Sequence, residues 1–119
     1  MGYFITLNNP QDVTYIEDFN LKAKEGAFAM KINTGKTLSL TIDNQFYDVI
    51  FGKQVNISIT YYSQPGIAFQ LIGQNIVNGD NSNSYKTVNY LIPATQTLNL
   101  KAINGNPVIH RIEIERTTF

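Results

Sequence analysis

A chain of 119 residues with 43% hydrophobic side chains is long enough for one domain with a real core and too short for two ordinary ones. Nine basic residues balance nine acidic ones without any like-charge run, which excludes the electrostatic footprint of a nucleic-acid or anionic-membrane binder. Cysteine is absent, which excludes disulfides, thiolate nucleophiles and cysteine zinc sites, and no apolar stretch approaches the ~20 residues of a membrane-spanning helix.

Residues 1–6, Met-Gly-Tyr-Phe-Ile-Thr, carry neither a basic region nor an apolar run of leader length. Either the protein stays inside the cell, or a leader or parent chain lies outside this sequence. Residues 14–21 form a weak strand candidate. The window 15–29 lacks a clean apolar helical face and reads as strand and loop. From residue 28 onward the dominant period is two, the signature of strands with one buried and one wet face. The predicted strands are 28–32, 37–42, 55–62, 67–72, 86–92, 97–102 and 108–115. Turn chemistry falls between them, at Thr34-Gly35-Lys36, Gly52-Lys53, Gln64-Pro65-Gly66, Pro93 to Gln96 and Asn104-Gly105-Asn106-Pro107.

About eight short strands at this spacing predict an all-β antiparallel sandwich spanning residues 1–119 as one domain. In-facing parity places Leu38, Leu40, Ile57, Ile59, Phe69, Leu71, Leu98, Leu100, Ile112 and Ile114 in the core. The opposite parity leaves Ala68, Ile72 and Leu91 as an exposed apolar patch.

Catalytic chemistry finds little support. The single histidine, His110, shares parity with Val108, Ile112 and Ile114 and is expected to face the core. No serine stands in a nucleophile-elbow context. Glu113 and Glu115 share the wet face of the last strand about 7 Å apart, a separation near that of glycosidase carboxylate pairs. Such a pair is also the ordinary product of alternation, and no enzymatic activity is expected. Asn78-x-Asp80-x-Ser82 resembles the start of a calcium loop, but Asn89 stands where the terminal glutamate belongs. A hard cation held by Glu17 or Asp18 with backbone carbonyls is the other metal expectation.

Binding is better supported. Residues 73–84, Gly-Gln-Asn-Ile-Val-Asn-Gly-Asp-Asn-Ser-Asn-Ser, read as one long polar loop, and such loops in compact domains carry function disproportionately. Asn56, Ser58, Thr60 and Tyr62 share the wet parity of their strand, and Asn89 and Asn99 are polar positions on later ones. Tyr62 and Tyr85 lie outward where strands meet loops. Amides and hydroxyls match the donor–acceptor pairs of sugar hydroxyls, and an aromatic face covers a pyranose C–H patch. Solvent-facing Asn, Ser and Thr are equally what β surfaces commonly use.

Phe46-Tyr47-Asp48-Val49, the run Val55-Asn56-Ile57-Ser58-Ile59-Thr60-Tyr61-Tyr62-Ser63, the strand at 67–72, Tyr85-Lys86 and the closing strand at 109–115 together resemble a known pattern. It is that of the galactose-binding-domain-like β-sandwiches, including carbohydrate-binding modules of families six and thirty-five. The chain departs from it at Ser63, where Asp is expected, and in lacking Trp altogether. The resemblance implies a jelly-roll module of a larger, extracellular or cell-surface protein that targets its parent to a glycan. It also implies a structural calcium near the first strands. Tyr62 and Tyr85 are the expected stacking rings, and Asn75, Asp80, Asn83 and Lys86 the expected hydrogen-bonding groups. The alternative is a structural or adhesion module, as in a phage or viral tail or a toxin, working through protein–protein contacts.

Overall fold

Alternation in the sequence becomes strands with one sealed and one open side. The computed structural model describes residues 5–15 and 30–117. Among them are ten strands: β1 (Ile5–Leu7), β2 (Val13–Tyr15), β3 (Met30–Ile32), β4 (Thr37–Ile42), β5 (Gln54–Ser63), β6 (Ala68–Leu71), β7 (Ile76–Asn78), β8 (Ser84–Pro93), β9 (Thr97–Asn104) and β10 (Val108–Arg116). They form two antiparallel five-stranded sheets ordered β1-β4-β9-β6-β7 and β2-β3-β10-β5-β8. The fold is the all-β sandwich that the periodicity predicts, with ten described strands rather than about eight. Of the weak candidate at 14–21, only the part within β2 is described; the rest, and the window 15–29 beyond Tyr15, lie outside the described residues.

The core lies between the sheets. β4 contributes Leu38, Leu40 and Ile42, and β9 contributes Leu98, Leu100 and Ala102. The register sets Leu38 opposite Leu100 and Leu40 opposite Leu98. From the second sheet come Val55, Ile57, Ile59 and Tyr61 of β5 with Ile109 of β10. Tyr61 meets Phe69 of the other sheet edge-on at a centroid distance of 5.0 Å. Burial raises the Tyr61 phenol above its ordinary range.

The expected burial needs correction at Ile112, Ile114 and Ala68. Ile112 and Ile114 have the in-facing parity, opposite Ile59 and Ile57, but are only partly buried. The reason is that β3 pairs with β10 only at Val108 and Ile109. Beyond that point, no described strand covers the far flank of β10. Ala68, expected on the surface, is buried at 3% exposure. A register shift against β9 falls between Ala68 and Phe69 and turns both inward. Ile72 and Leu91 are exposed as expected, without Ala68 to join them.

Residues 44–50 form a helix, α1 (Asn44–Ile50), absent from the predicted elements. It links β4 of one sheet to β5 of the other. Its Ile50 is fully buried, and Phe46 and Tyr47 pack against the core. Seven residues are too few for a 3.6-residue period to stand out against strands.

Residues 73–84 are not one long loop. β7 folds back antiparallel on β6, with Phe69 opposite Val77. What remains is a turn on either side of β7. The second, between β7 and β8, is held tightly against the β5–β6 turn. There Pro65-Gly66 forms a turn with Gly66 at φ 84°, as a type II turn requires. Gly79 N–H donates to Ile67 O at 2.9 Å. A Cβ on Gly79 would lie 2.0 Å from Gln64 O, so only glycine permits this approach.

Candidate functional site

The longest pairing among the described residues, β5 with β8, builds the surface of interest. Ten consecutive residue pairs run without a register shift from Gln54↔Pro93 to Ser63↔Ser84. Directly opposed side chains share a face. The core side of this ladder carries Val55, Ile57, Ile59 and Tyr61. The other side carries four opposed pairs: Asn56 with Leu91, Ser58 with Asn89, Thr60 with Thr87 and Tyr62 with Tyr85. All eight side chains are uncharged.

These pairs are linked laterally. Ser58 Oγ donates to Asn89 Oδ1 at 2.6 Å. Asn56 Nδ2 donates to Ser58 Oγ at 3.0 Å and to Asn89 Oδ1 at 3.3 Å. The Thr60 and Thr87 hydroxyls are 2.9 Å apart. Tyr62 and Tyr85 meet at 5.4 Å between centroids with planes at 76°, the edge-to-face arrangement favoured by aromatic quadrupoles. Both rings are half-buried.

His110 joins this aromatic cluster. Its ring lies 4.6 Å from that of Tyr85, tilted by 40°. It is buried, at 2% exposure, but on the side of the sheet away from the inter-sheet core. The expected parity fails because β10 is bulged: Ile109 opposes Tyr61 and Arg111 opposes Thr60, which leaves His110 as the extra residue. The adjacent apolar pair Val108-Ile109 breaks the alternation and is the signal that marks the irregularity in sequence.

The β7–β8 turn supports the Tyr pair from one end. Asp80 Oδ1 accepts hydrogen bonds from Ser63 Oγ and Ser82 N–H, each at 2.9 Å. Asp80 N–H donates to Ser63 Oγ at 3.0 Å. Lys86 Nζ is 2.5 Å from Asp80 Oδ2. The Lys86 ammonium, the Ser82 donors and the Ser63 hydroxyl hold the Asp80 carboxyl well below the usual carboxylate range. Asp80 in turn raises the Lys86 ammonium. Asn83, with φ at 47°, directs its carbonyl to the Tyr62 hydroxyl at 2.9 Å.

Of the expected site residues, the structure brings together Tyr62, Tyr85 and Asn83, with Asp80 and Lys86 paired beneath them. Asn75 stands apart, exposed in the turn between β6 and β7, at the opposite end of β7 from Asp80. Asn99 belongs to the other sheet, opposite Ser39. Thr87 and His110 are the additions, one from strand pairing and one from a bulge.

The partial calcium motif does not fit a cation. Asp80 already accepts from three donors, one of them the Lys86 ammonium. Among the described residues there is no group of three carboxylate, histidine or cysteine side chains able to hold a metal. Glu17 and Asp18 lie outside the described residues. Glu113 and Glu115 are both exposed on β10, opposite Ser58 and Asn56. Glu113 pairs with Arg111 at 3.1 Å. At the far end of β8, Ile72, Gln74, Pro93, Thr95 and Asn99 border an open cleft of about 300 Å³ with no aromatic lining.

No family model matches this chain, and no curated protein matches it. Among solved structures it is similar to the carbohydrate-binding module TmCBM61, determined in complex with β-1,4-galactotriose. The two share 12% identity with a TM-score of 0.53, over 94% of this chain and 86% of that one. At that identity the likeness establishes the fold: a two-sheet sandwich of the kind on which a carbohydrate-binding module is built.

Proposed function

We propose that this domain is a non-catalytic carbohydrate-binding module that holds its ligand on the outer face of β5 and β8. The observation carrying this reading is the Tyr62–Tyr85 pair at the head of an uncharged amide and hydroxyl ladder. A pyranose lays its C–H face on one of these rings. Because the rings are nearly perpendicular, the second borders the sugar with its edge. The hydroxyls and amides of Thr60, Thr87 and Asn89 both donate and accept, as sugar hydroxyls require. Asp80, Lys86 and Asn83 position the rings by fixing the β7–β8 turn and anchoring the Tyr62 hydroxyl.

The likeness to a module bound to a galactose oligomer supports a galactose-containing chain as ligand. It gives no support to a purely structural or adhesive role. The site is shallow, so single-site affinity is modest. Such a module acts outside the cell by concentrating a parent protein on its glycan.

A glycan array with purified domain, followed by calorimetry on the best binder, tests the proposal. Removing one stacking ring costs about 1 kcal/mol or somewhat more, so Tyr85→Ala and Tyr62→Ala each weaken binding several-fold. Unchanged affinity in both variants places the ligand elsewhere.

A further inference from the structure

Among the described strands, the four sheet edges are unequal. β1, β2 and β7 each span three residues among the described ones, while β8 spans ten without a bulge. The flank of β10 beyond Ile109, which no described strand covers, is protected differently: it carries Arg111, Glu113, Glu115 and Arg116 within six residues. Long regular edges are ordinarily blunted by charge, proline or a bulge, because their outward backbone groups template another strand. β8 has one charged side chain, Lys86, tied to Asp80 near its start, and a proline only at its last residue. Residues 87–92, Thr-Val-Asn-Tyr-Leu-Ile, carry no charge at all.

The direction of the backbone groups on β8 follows from its ends. Ala94 N–H donates to Lys53 O at 2.9 Å. Antiparallel ladders alternate bonded and non-bonded pairs, so Lys86, Val88, Tyr90 and Ile92 turn their backbone toward β5. The bond from Thr117 N–H to Gln54 O at 3.4 Å assigns the other parity of β5 to β10, in agreement. Thr87, Asn89 and Leu91 therefore direct N–H and C=O away from the sheet. Leu91 is also 61% exposed.

From this edge we infer that two copies of the chain associate through β8, antiparallel, about a two-fold axis at Asn89. That axis sets Asn89 against its own copy and Thr87 against Leu91 of the second copy, so all three outward residues are paired. On the core side it sets Val88 against Tyr90, two half-buried apolar groups that cover one another. Lys86 falls opposite Ile92, so no like charges oppose. A second copy satisfies every outward group of this stretch in one register, and the two sheets become one ten-stranded sheet. A further consequence, which rests on the glycan reading where the dimer does not, is that both Tyr62–Tyr85 pairs lie on the same face. They are about 26 Å apart by strand rise, which makes binding to a polymeric glycan bivalent.

Sedimentation velocity on the purified domain without glycan, from low to high micromolar concentration, tests the inference. The expected species is twice the 13.4 kDa chain mass, in a concentration-dependent equilibrium. Leu91→Pro removes one outward N–H without breaking a bond to β5 and is expected to sediment as a monomer. Asn89→Lys places two ammonium groups against each other and is expected to weaken association about severalfold, less so at high salt. Circular dichroism checks that both variants keep the fold. A wild-type monomer throughout the range overturns the inference, as does a dimer untouched by both substitutions. Neither result bears on the glycan site, which the ring substitutions test separately.

Discussion

Asp80 shows how one side chain organises a site without belonging to it. Its carboxylate gathers Ser63, Ser82 and Lys86, and the turn so fixed delivers Asn83 to the Tyr62 hydroxyl. A carboxyl whose folded pKa is depressed contributes stability above its unfolded pKa, near 4, and loses it as pH falls toward the folded value. Asp80→Asn is therefore expected to melt below wild type at pH 5–7, with the gap narrowing below about pH 4. A gap constant down to pH 2, followed by thermal denaturation, contradicts this account of the turn. At this scale the sequence was partly legible. The outward parity of Tyr62 and Tyr85 can be read from their own strands, but their contact depends on which strands pair, and no local pattern encodes that. Strict alternation gives the wrong face for His110 because one extra residue in β10 reverses the face of the strand before it.

Period-two alternation predicts strands well here because most have one sealed face and one wet face. β4, β5 and β9 alternate almost without interruption, and all of their expected core residues are buried. Ile59 is 1% exposed in the middle of β5. Ile59→Ala is expected to cost about 2–5 kcal/mol of unfolding free energy, measured by chemical denaturation. A loss below about 1 kcal/mol would mean that the site collapses around the missing atoms. Elements outside that rule were invisible. α1 is too short to display its period, and β7 lies in a stretch so rich in Asn, Gly and Ser that its three residues read as loop. Ile112 and Ile114 are less buried than their parity implies, because parity gives the face of a side chain and not the number of strands covering it.

At the scale of the whole molecule, two sheets enclose one apolar core, and the surface outside it is uneven in character. The outer face of β5 and β8 couples aromatic rings to neutral polar groups, while its flank on β10 is charged. The cleft at the other end of β8 offers Gln74 and Asn99 amides over aliphatic side chains but no ring on which a sugar could lie. These differences make the location of binding, rather than its existence alone, the sharpest test. The direct measurement is a titration of 15N-labelled domain with β-1,4-galactotriose, followed by amide chemical shifts. Saturable shifts are expected at Thr60, Tyr62, Tyr85, Thr87, Asn89 and His110. Shifts gathered at Ile72, Thr95 and Asn99, or none at saturating sugar, would contradict it.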